Sequence, residues 1–172
     1  MGDDLLDPLR HNAWATRQLL EYCRRLDPEQ LRATAEGTYG SILATLQHIV
    51  GSEGRYRTRL SGGGPGQPEP ADTDGPDELI PLADDMAQYW EELATSGFDP
   101  DRVVSWVSPV SGAHSEATAG MLVAQLLNHG NEHRAQISTI LTTIGREPPK
   151  LDGWSYGRAT GRFRETPVRE GG

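Results

Sequence analysis

Residues 128–137 read NHGNEHRAQI, and they decide the fold because they place two histidines inside a segment with helical periodicity. His129 and His133 are four residues apart, so they lie on one side of a helix, one turn above the other. They continue the four-three spacing of the inward positions, which are Leu122, Leu126, His129, His133, Gln136 and Ile140. The pattern therefore predicts that both imidazoles face the core.

The same periodicity predicts four long helices, at about 5–26, 41–60, 77–97 and 118–144. Ser41 is the expected N-cap of the second helix. The inward positions of the first three helices are Leu5, Leu9, Asn12, Thr16, Leu19, Cys23 and Leu26, then Ile42, Leu46, Ile49, Glu53, Tyr56 and Leu60, then Leu79, Leu82, Met86, Tyr89 and Leu93. Four such stripes and a long Gly/Pro/Asp-rich crossover at 61–78 predict an all-α fold, a four-helix bundle.

The rest of the chain has weaker patterns. Residues 98–116 alternate weakly, so both a short strand and an extended crossover fit. Residues 151–163 show no helical period, and we expect Trp154 and Tyr156 to pin them onto the body. We predict one domain over residues 1–160 and a disordered tail over 161–172.

The charge balance excludes several classes of partner. The formal net charge is −9, and Lys150 is the only lysine among 16 basic residues, so we expect neither nucleic acid nor an anionic membrane as a partner. No apolar run approaches the roughly 18 residues of a membrane span, and the acidic N-terminus does not resemble a signal peptide. Cys23 is the only cysteine, which excludes an intrachain disulfide and fits a cytoplasmic location.

A third histidine completes a candidate metal site. His48 lies one position from the inward residue Ile49 on the second helix. If the second and fourth helices are neighbours, His48, His129 and His133 can converge on one cation. Three protein ligands leave a position for water or substrate, as in catalytic rather than structural sites. The alternative is that these histidines are hydrogen-bonded core residues.

Other polar residues near the histidines have more than one reading. Glu53 occupies an inward position, where a structural ion pair with Arg134 and a role in holding an imidazole are both possible. Glu132 could act as a base or be a solvated group, and Gln136 could line the pocket. Glu53, Glu132 and Arg134 are thus weak catalytic candidates.

Several further motifs carry little weight. Residues 129–133 match the H-x-x-E-H pattern of inverted zinc proteases, but such an enzyme needs a further ligand downstream. His11 lacks a helical partner and is interpreted as a packing or surface residue, and His114 lies in an irregular stretch. Cys23 has no recognisable histidine partner for nucleophilic catalysis.

Two blocks, GSILATLQHIVGSEGRYRTRL at 40–60 and LLNHGNEHRAQISTILTTIG at 126–145, resemble the DinB family, of the DinB/YfiT-like superfamily of metalloenzymes. The resemblance implies a four-helix bundle with an unusual crossover, often a homodimer. It implies a divalent metal, usually zinc or nickel, bound by His48, His129 and His133.

The resemblance also implies a class of reaction. Characterised relatives include metal-dependent thiol-S-transferases and isomerases that use mycothiol or bacillithiol, so a low-molecular-weight thiol and a small electrophile are the expected substrates, in detoxification or stress response. A coordinated thiol is more easily deprotonated, which suits such chemistry; Arg55, Arg57, Arg59 and Arg134 are the candidate cations for a thiol pocket. The alternatives are a non-catalytic, metal-stabilised dimeric bundle and a metal-dependent hydrolase.

Overall fold

The structure is a computed structural model, and it describes residues 6–62, 69–108 and 111–166. This part of the chain is mostly helical and contains one small antiparallel sheet. Its elements are α1 (Leu6–Cys23), α2 (Pro28–Leu31), α3 (Ile42–Leu60), α4 (Pro76–Thr95), β1 (Val103–Val107), β2 (His114–Thr118), α5 (Ala119–Thr143) and α6 (Gly153–Thr160).

Polar side chains fix where the two histidine-bearing helices begin. The Ser41 hydroxyl accepts a hydrogen bond from the Ala44 N–H at 3.2 Å, so its predicted N-cap role on α3 is confirmed. Thr118 caps α5 in the same way, through the Met121 N–H at 3.3 Å. Each cap satisfies a backbone donor that has no partner within the helix.

The long helices share one interior. Helix α3 packs against α4 and α5, and α1 packs against the same two helices. The predicted inward stripes of α1 and α3 are buried at nearly every position whose side chain is described. The second and fourth predicted helices, α3 and α5, are therefore neighbours, as the metal hypothesis required.

The predicted stripe of α4 is wrong in part. Leu79 and Met86 are buried as expected, but the remaining core positions are shifted by one residue. Ala83, Trp90 and Ala94 are the fully buried residues there, while the predicted Leu82, Tyr89 and Leu93 are partly buried and pack against the core. Adjacent residues are about 100° apart around a helix, so the predicted residues lie on the flank of the buried face rather than at its centre.

A β-hairpin between α4 and α5 departs from the all-α prediction. Strands β1 and β2 pair from Val103 with Thr118 to Val107 with His114, so the short-strand reading of this stretch is the correct one. Strand β1 packs against α3, and β2 leads directly into α5. The hairpin therefore lies beside the two helices that carry the histidines.

The segment after α5 is helical where no helix was predicted. Asp152 caps α6 by accepting from the Trp154 and Ser155 N–H groups. Tyr156 is buried against α1, as expected, but the Trp154 side chain is 64% exposed and does not pin the segment. Of the predicted disordered tail, residues 161–166 are described and Phe163 packs against Trp154, while 167–172 lie outside the described residues.

The segment between α3 and α4 is described only in part, because residues 63–68 lie outside the described residues. Its second half is held to α3 by Gln47, whose amide donates to the carbonyls of Ala71, Asp72 and Asp74. Among the described residues, no helix combines the length and the apolar character that crossing a lipid bilayer requires.

A buried polar network joins the four long helices. The Glu53 carboxylate on α3 accepts from Asn12 of α1 at 3.0 Å and from the Trp90 indole of α4 at 3.2 Å. The Arg134 guanidinium of α5 donates to the Asn12 carbonyl at 2.9 Å and to the Thr16 hydroxyl at 3.1 Å. The expected pairing of Glu53 with Arg134 therefore takes an indirect form, in which one asparagine bridges the two charges.

The backbone of α5 comes very close to this network at Gly130. A Cβ atom at this position would lie 2.6 Å from Asn12 Oδ1 and 2.7 Å from Arg134 Nη1. Both groups are buried and hydrogen-bonded, so neither has room to move away. Only glycine fits here, although glycine costs a helix about 1 kcal/mol relative to alanine.

We predict that Gly130→Ala lowers the free energy of unfolding by about 2 kcal/mol, because the added methyl overpacks the network. Urea denaturation followed by circular dichroism measures this change. Gly153→Ala is the matched control, since a Cβ at Gly153 meets no atom within 4 Å. Equal free energies of unfolding for the two variants would contradict this prediction, because they would show that Asn12 and Arg134 can move aside for the methyl group without loss of stability.

Candidate metal centre

Three imidazoles meet between α3 and α5. His48 lies on α3, and His129 and His133 lie one turn apart on α5. His48 Nε2 and His129 Nε2 are 3.0 Å apart. One ring nitrogen from each histidine falls in a group whose members all lie within 4.8 Å of one another. The structure thus brings together all three residues that the sequence nominated.

Gln136 orients His133. The Gln136 side-chain oxygen lies 2.9 Å from His133 Nδ1 and also accepts the Tyr39 backbone N–H at 3.2 Å. An amide oxygen only accepts, so His133 donates from Nδ1, and Nε2 is the ring nitrogen left to bind a cation. This is the arrangement by which neighbouring groups orient metal-binding histidines.

Tyr39 covers the cluster, and the sequence reasoning missed it. Its ring stacks on His48 with centroids 4.1 Å apart and meets His133 edge-on at 5.3 Å. Tyr39 lies in the turn before α3, outside every periodic pattern. The available signal was local: Gly37, with φ of +79°, and the Ser41 cap turn the chain sharply at this point.

The surroundings of His48 and His129 favour the neutral form of these two imidazoles. Burial, followed by the charges of His133 and His48, lowers the pKa of His129 to about 4. Burial, followed by the charge of His133, also lowers the pKa of His48 below its ordinary value. The neutral imidazole is the form that binds a cation, so the lowered pKa values of His48 and His129 favour metal binding at neutral pH.

The donor set fits a divalent transition metal. Two nitrogens that each lie about 2.1 Å from one tetrahedral cation are about 3.4 Å apart. His48 Nε2 and His129 Nε2 are closer than that, at a hydrogen-bonding distance of 3.0 Å, and the three ligand atoms all lie within 4.8 Å of one another. Imidazole suits zinc, nickel, copper and iron rather than calcium or magnesium. Within the described residues, no fourth His, Cys, Asp or Glu joins the group. The group that could hold a metal among the described residues therefore consists of three histidines.

The weak catalytic candidates lie apart from this group. Glu53 and Arg134 belong to the buried network, where burial raises the pKa of Glu53 and lowers that of Arg134. Glu132 precedes His133 in the chain, but its side chain is exposed to solvent. Catalytic roles for these three residues stay predictions.

The remaining candidates have structural explanations. His11 Nε2 donates to the Leu151 carbonyl at 2.7 Å and its ring packs near Trp14 and Tyr156, so it is a packing residue. His114 is exposed at the start of β2. Burial raises the pKa of the Cys23 thiol to about 12, which removes it as a nucleophile at neutral pH.

Comparison with known proteins agrees with this geometry. The model of the DinB family matches residues 1–167, nearly the whole chain. The protein therefore belongs to the DinB family. No curated protein matches it closely enough to count as a relative.

We predict that Gln136→Leu weakens divalent-metal binding by about 10- to 100-fold, because His133 loses the acceptor that fixes its proton and its ring. Competition with a chromophoric chelator measures the affinity. Gln125→Leu makes the same change at an exposed position on the same helix and is expected to leave the affinity unchanged. Equal affinities in both variants would remove Gln136 from the site.

Proposed function

We propose that this protein is a divalent-metal-dependent enzyme that transfers a low-molecular-weight thiol to a small electrophile. The observation that carries the proposal is the convergence of three imidazoles with no fourth protein donor among the described residues. A structural site uses four protein ligands, whereas a catalytic site keeps a position for a reactant. Membership of the DinB family supports a metal-dependent activity.

Each residue has a distinct part in this proposal. His48, His129 and His133 hold the cation, zinc or nickel, and Gln136 keeps the His133 ring in place. Tyr39 shields the His48 side of the cluster from water. A bound divalent cation would lower the pKa of a coordinated thiol and so supply a thiolate at neutral pH.

The proposal extends to the assembly and the fold. We propose that the long helices α1, α3, α4 and α5 form a DinB-type four-helix bundle, with the segment between α3 and α4 as its crossover. The protein would act as a homodimer in the cytoplasm, on a small molecule rather than on nucleic acid or a membrane. The packing of α3 and α1 against both α4 and α5 supports the bundle.

The test is thiol-dependent conjugation. Protein loaded with zinc or nickel is mixed with N-acetylcysteine and a bimane electrophile, and the fluorescent conjugate is followed. We expect turnover above the uncatalysed rate in the wild type and in His114→Ala, whose histidine is exposed on β2. His129→Ala is expected to fall to the uncatalysed rate, because one of three ligands is lost.

Two other results would overturn the proposal in favour of its rivals. Turnover of an ester that does not need thiol would identify a hydrolase. Stoichiometric metal that raises the melting temperature, with no turnover of thiols or esters, would identify a non-catalytic bundle.

A further inference from the structure

A cavity of about 360 Å³ lies between α3 and the hairpin. We call it the arginine pocket, and its described side chains are Arg55, Thr58, Arg59, Glu69, Trp106 and Val107. It contains two guanidinium groups and one carboxylate, in a protein whose net charge is −9. The pocket is thus a local excess of positive charge on an acidic molecule, next to an indole ring.

Arg59 is the cation without an anionic partner. Its guanidinium carbon lies 4.9 Å from the centre of the Trp106 ring and 5.7 Å from the centre of the Tyr56 ring. Within the described residues, its N–H groups form neither a hydrogen bond nor an ion pair. A guanidinium that lies over aromatic rings keeps its N–H groups available at its edge. Two of these groups can donate parallel hydrogen bonds to the two oxygens of a carboxylate.

Arg55 is occupied in a different way. It forms a 2.7 Å ion pair with Glu69 and donates to the Ser52 hydroxyl at 2.7 Å. The Glu69 carboxylate lies against α3, since a Cβ at Gly51 would be 2.7 Å from its oxygen. The ion pair is exposed, and an exposed pair contributes little stability. Glu69 therefore reduces the positive charge of the pocket without closing it.

Tyr56 links the pocket to the histidine cluster. Tyr56 contacts both: its ring centre is 5.7 Å from the Arg59 guanidinium carbon and 6.1 Å from the centre of the His129 ring. Gly51, against which Glu69 rests, is one turn after His48 on α3. The Arg59 guanidinium carbon therefore lies no more than about 12 Å from the centre of the His129 ring.

We propose that the arginine pocket binds the carboxylate of the thiol whose sulfur meets the histidine cluster, through the free edge of Arg59. The aliphatic part of the ligand would lie on Trp106 and Val107. The consequence is a selection of carboxylate-bearing thiols over neutral ones. This inference rests on the proposed function, because the sulfur site is the metal centre.

The first experiment does not depend on thiol chemistry. Saturation-transfer NMR measures binding of hexanoate and of its neutral isostere hexanamide to the full-length protein as purified. We expect hexanoate to bind more tightly, and Arg59→Gln to weaken it about tenfold through loss of a charged hydrogen bond. Hexanamide binding is expected to be the same in both proteins.

Two further variants separate the pocket from general charge effects. Arg57→Gln removes the same charge two residues away, but Arg57 pairs with Asp85 and lies over Tyr89, so hexanoate binding is expected to stay unchanged. Glu69→Gln removes the competing carboxylate and is expected to tighten hexanoate binding. A gain of affinity is an outcome that misfolding does not produce.

The second experiment connects the pocket to the metal centre. Cobalt(II)-loaded protein is titrated with 6-mercaptohexanoate and with 6-mercaptohexanol, and the thiolate-to-cobalt absorption band reports sulfur binding. We expect the carboxylate thiol to saturate the band at about tenfold lower concentration in the wild type, and the two thiols to be equal in Arg59→Gln.

The outcomes distinguish this inference from the proposed function. Equal binding of hexanoate and hexanamide, or no effect of Arg59→Gln on hexanoate, overturns the inference, even if both thiols give the cobalt band. The inference is also overturned if the protein binds hexanoate more tightly than hexanamide but binds 6-mercaptohexanoate and 6-mercaptohexanol equally well, while both thiols give the cobalt band. A third outcome is that hexanoate binding depends on Arg59 but neither thiol gives the cobalt band. That outcome supports the carboxylate site and contradicts the thiol chemistry of the proposed function.

Discussion

The buried carboxylate of Glu53 is the constraint on which the arrangement of the long helices depends. A charge that is 3% exposed is costly unless every oxygen finds a donor. Here the donors come from Asn12 of α1 and Trp90 of α4, while Arg134 of α5 supplies the opposite charge through Asn12. Sliding any of these helices by one turn, about 5.4 Å, would leave a buried charge or amide without its partner.

The same network sets the geometry of the candidate metal centre. Its members lie between two apolar clusters, one containing Leu19 and Leu46 and the other containing Leu9 and Leu60. Glu53 follows His48 on α3, and Arg134 directly follows His133 on α5. Because the network fixes Glu53 relative to Arg134, it also fixes His48 relative to the two histidines of α5. Apolar packing alone would leave this register less well defined, since similar side chains can replace one another across a helix interface.

Much of the site follows from local sequence rules. The i, i+4 pair at His129 and His133 and the near-inward position of His48 predicted the cluster, because helical periodicity determines which side chains face the core. The capping of α3 by Ser41 is equally local. A pairing of Glu53 with Arg134 was anticipated from the inward position of Glu53 and from Arg134 standing beside the histidines, but the Asn12 and Trp90 contacts were not, because they join residues distant in the chain. Trp90 was missed for a further reason, since the seven-residue pattern put Tyr89 in its place.

The features that sequence patterns missed lie in the connecting segments. Tyr39 reaches the cluster from a turn, and Trp106 reaches the arginine pocket from a hairpin with only weak alternation. In both cases the contact joins a connecting segment to a helix, so the hydrophobic periodicity of a single segment does not predict it. The eight-residue helix α6 was missed because its burial is limited to Tyr156 and Gly157, too few residues for a periodic signal.

The most direct test of this account is the metal content of the protein, measured by elemental analysis after purification without a chelator or a histidine tag. The account predicts about one divalent transition-metal ion per chain in the wild type and in His114→Ala, and none in His129→Ala. A wild-type protein that contains no metal and takes up neither zinc nor nickel would contradict it. So would a His129→Ala variant that retains the full metal content.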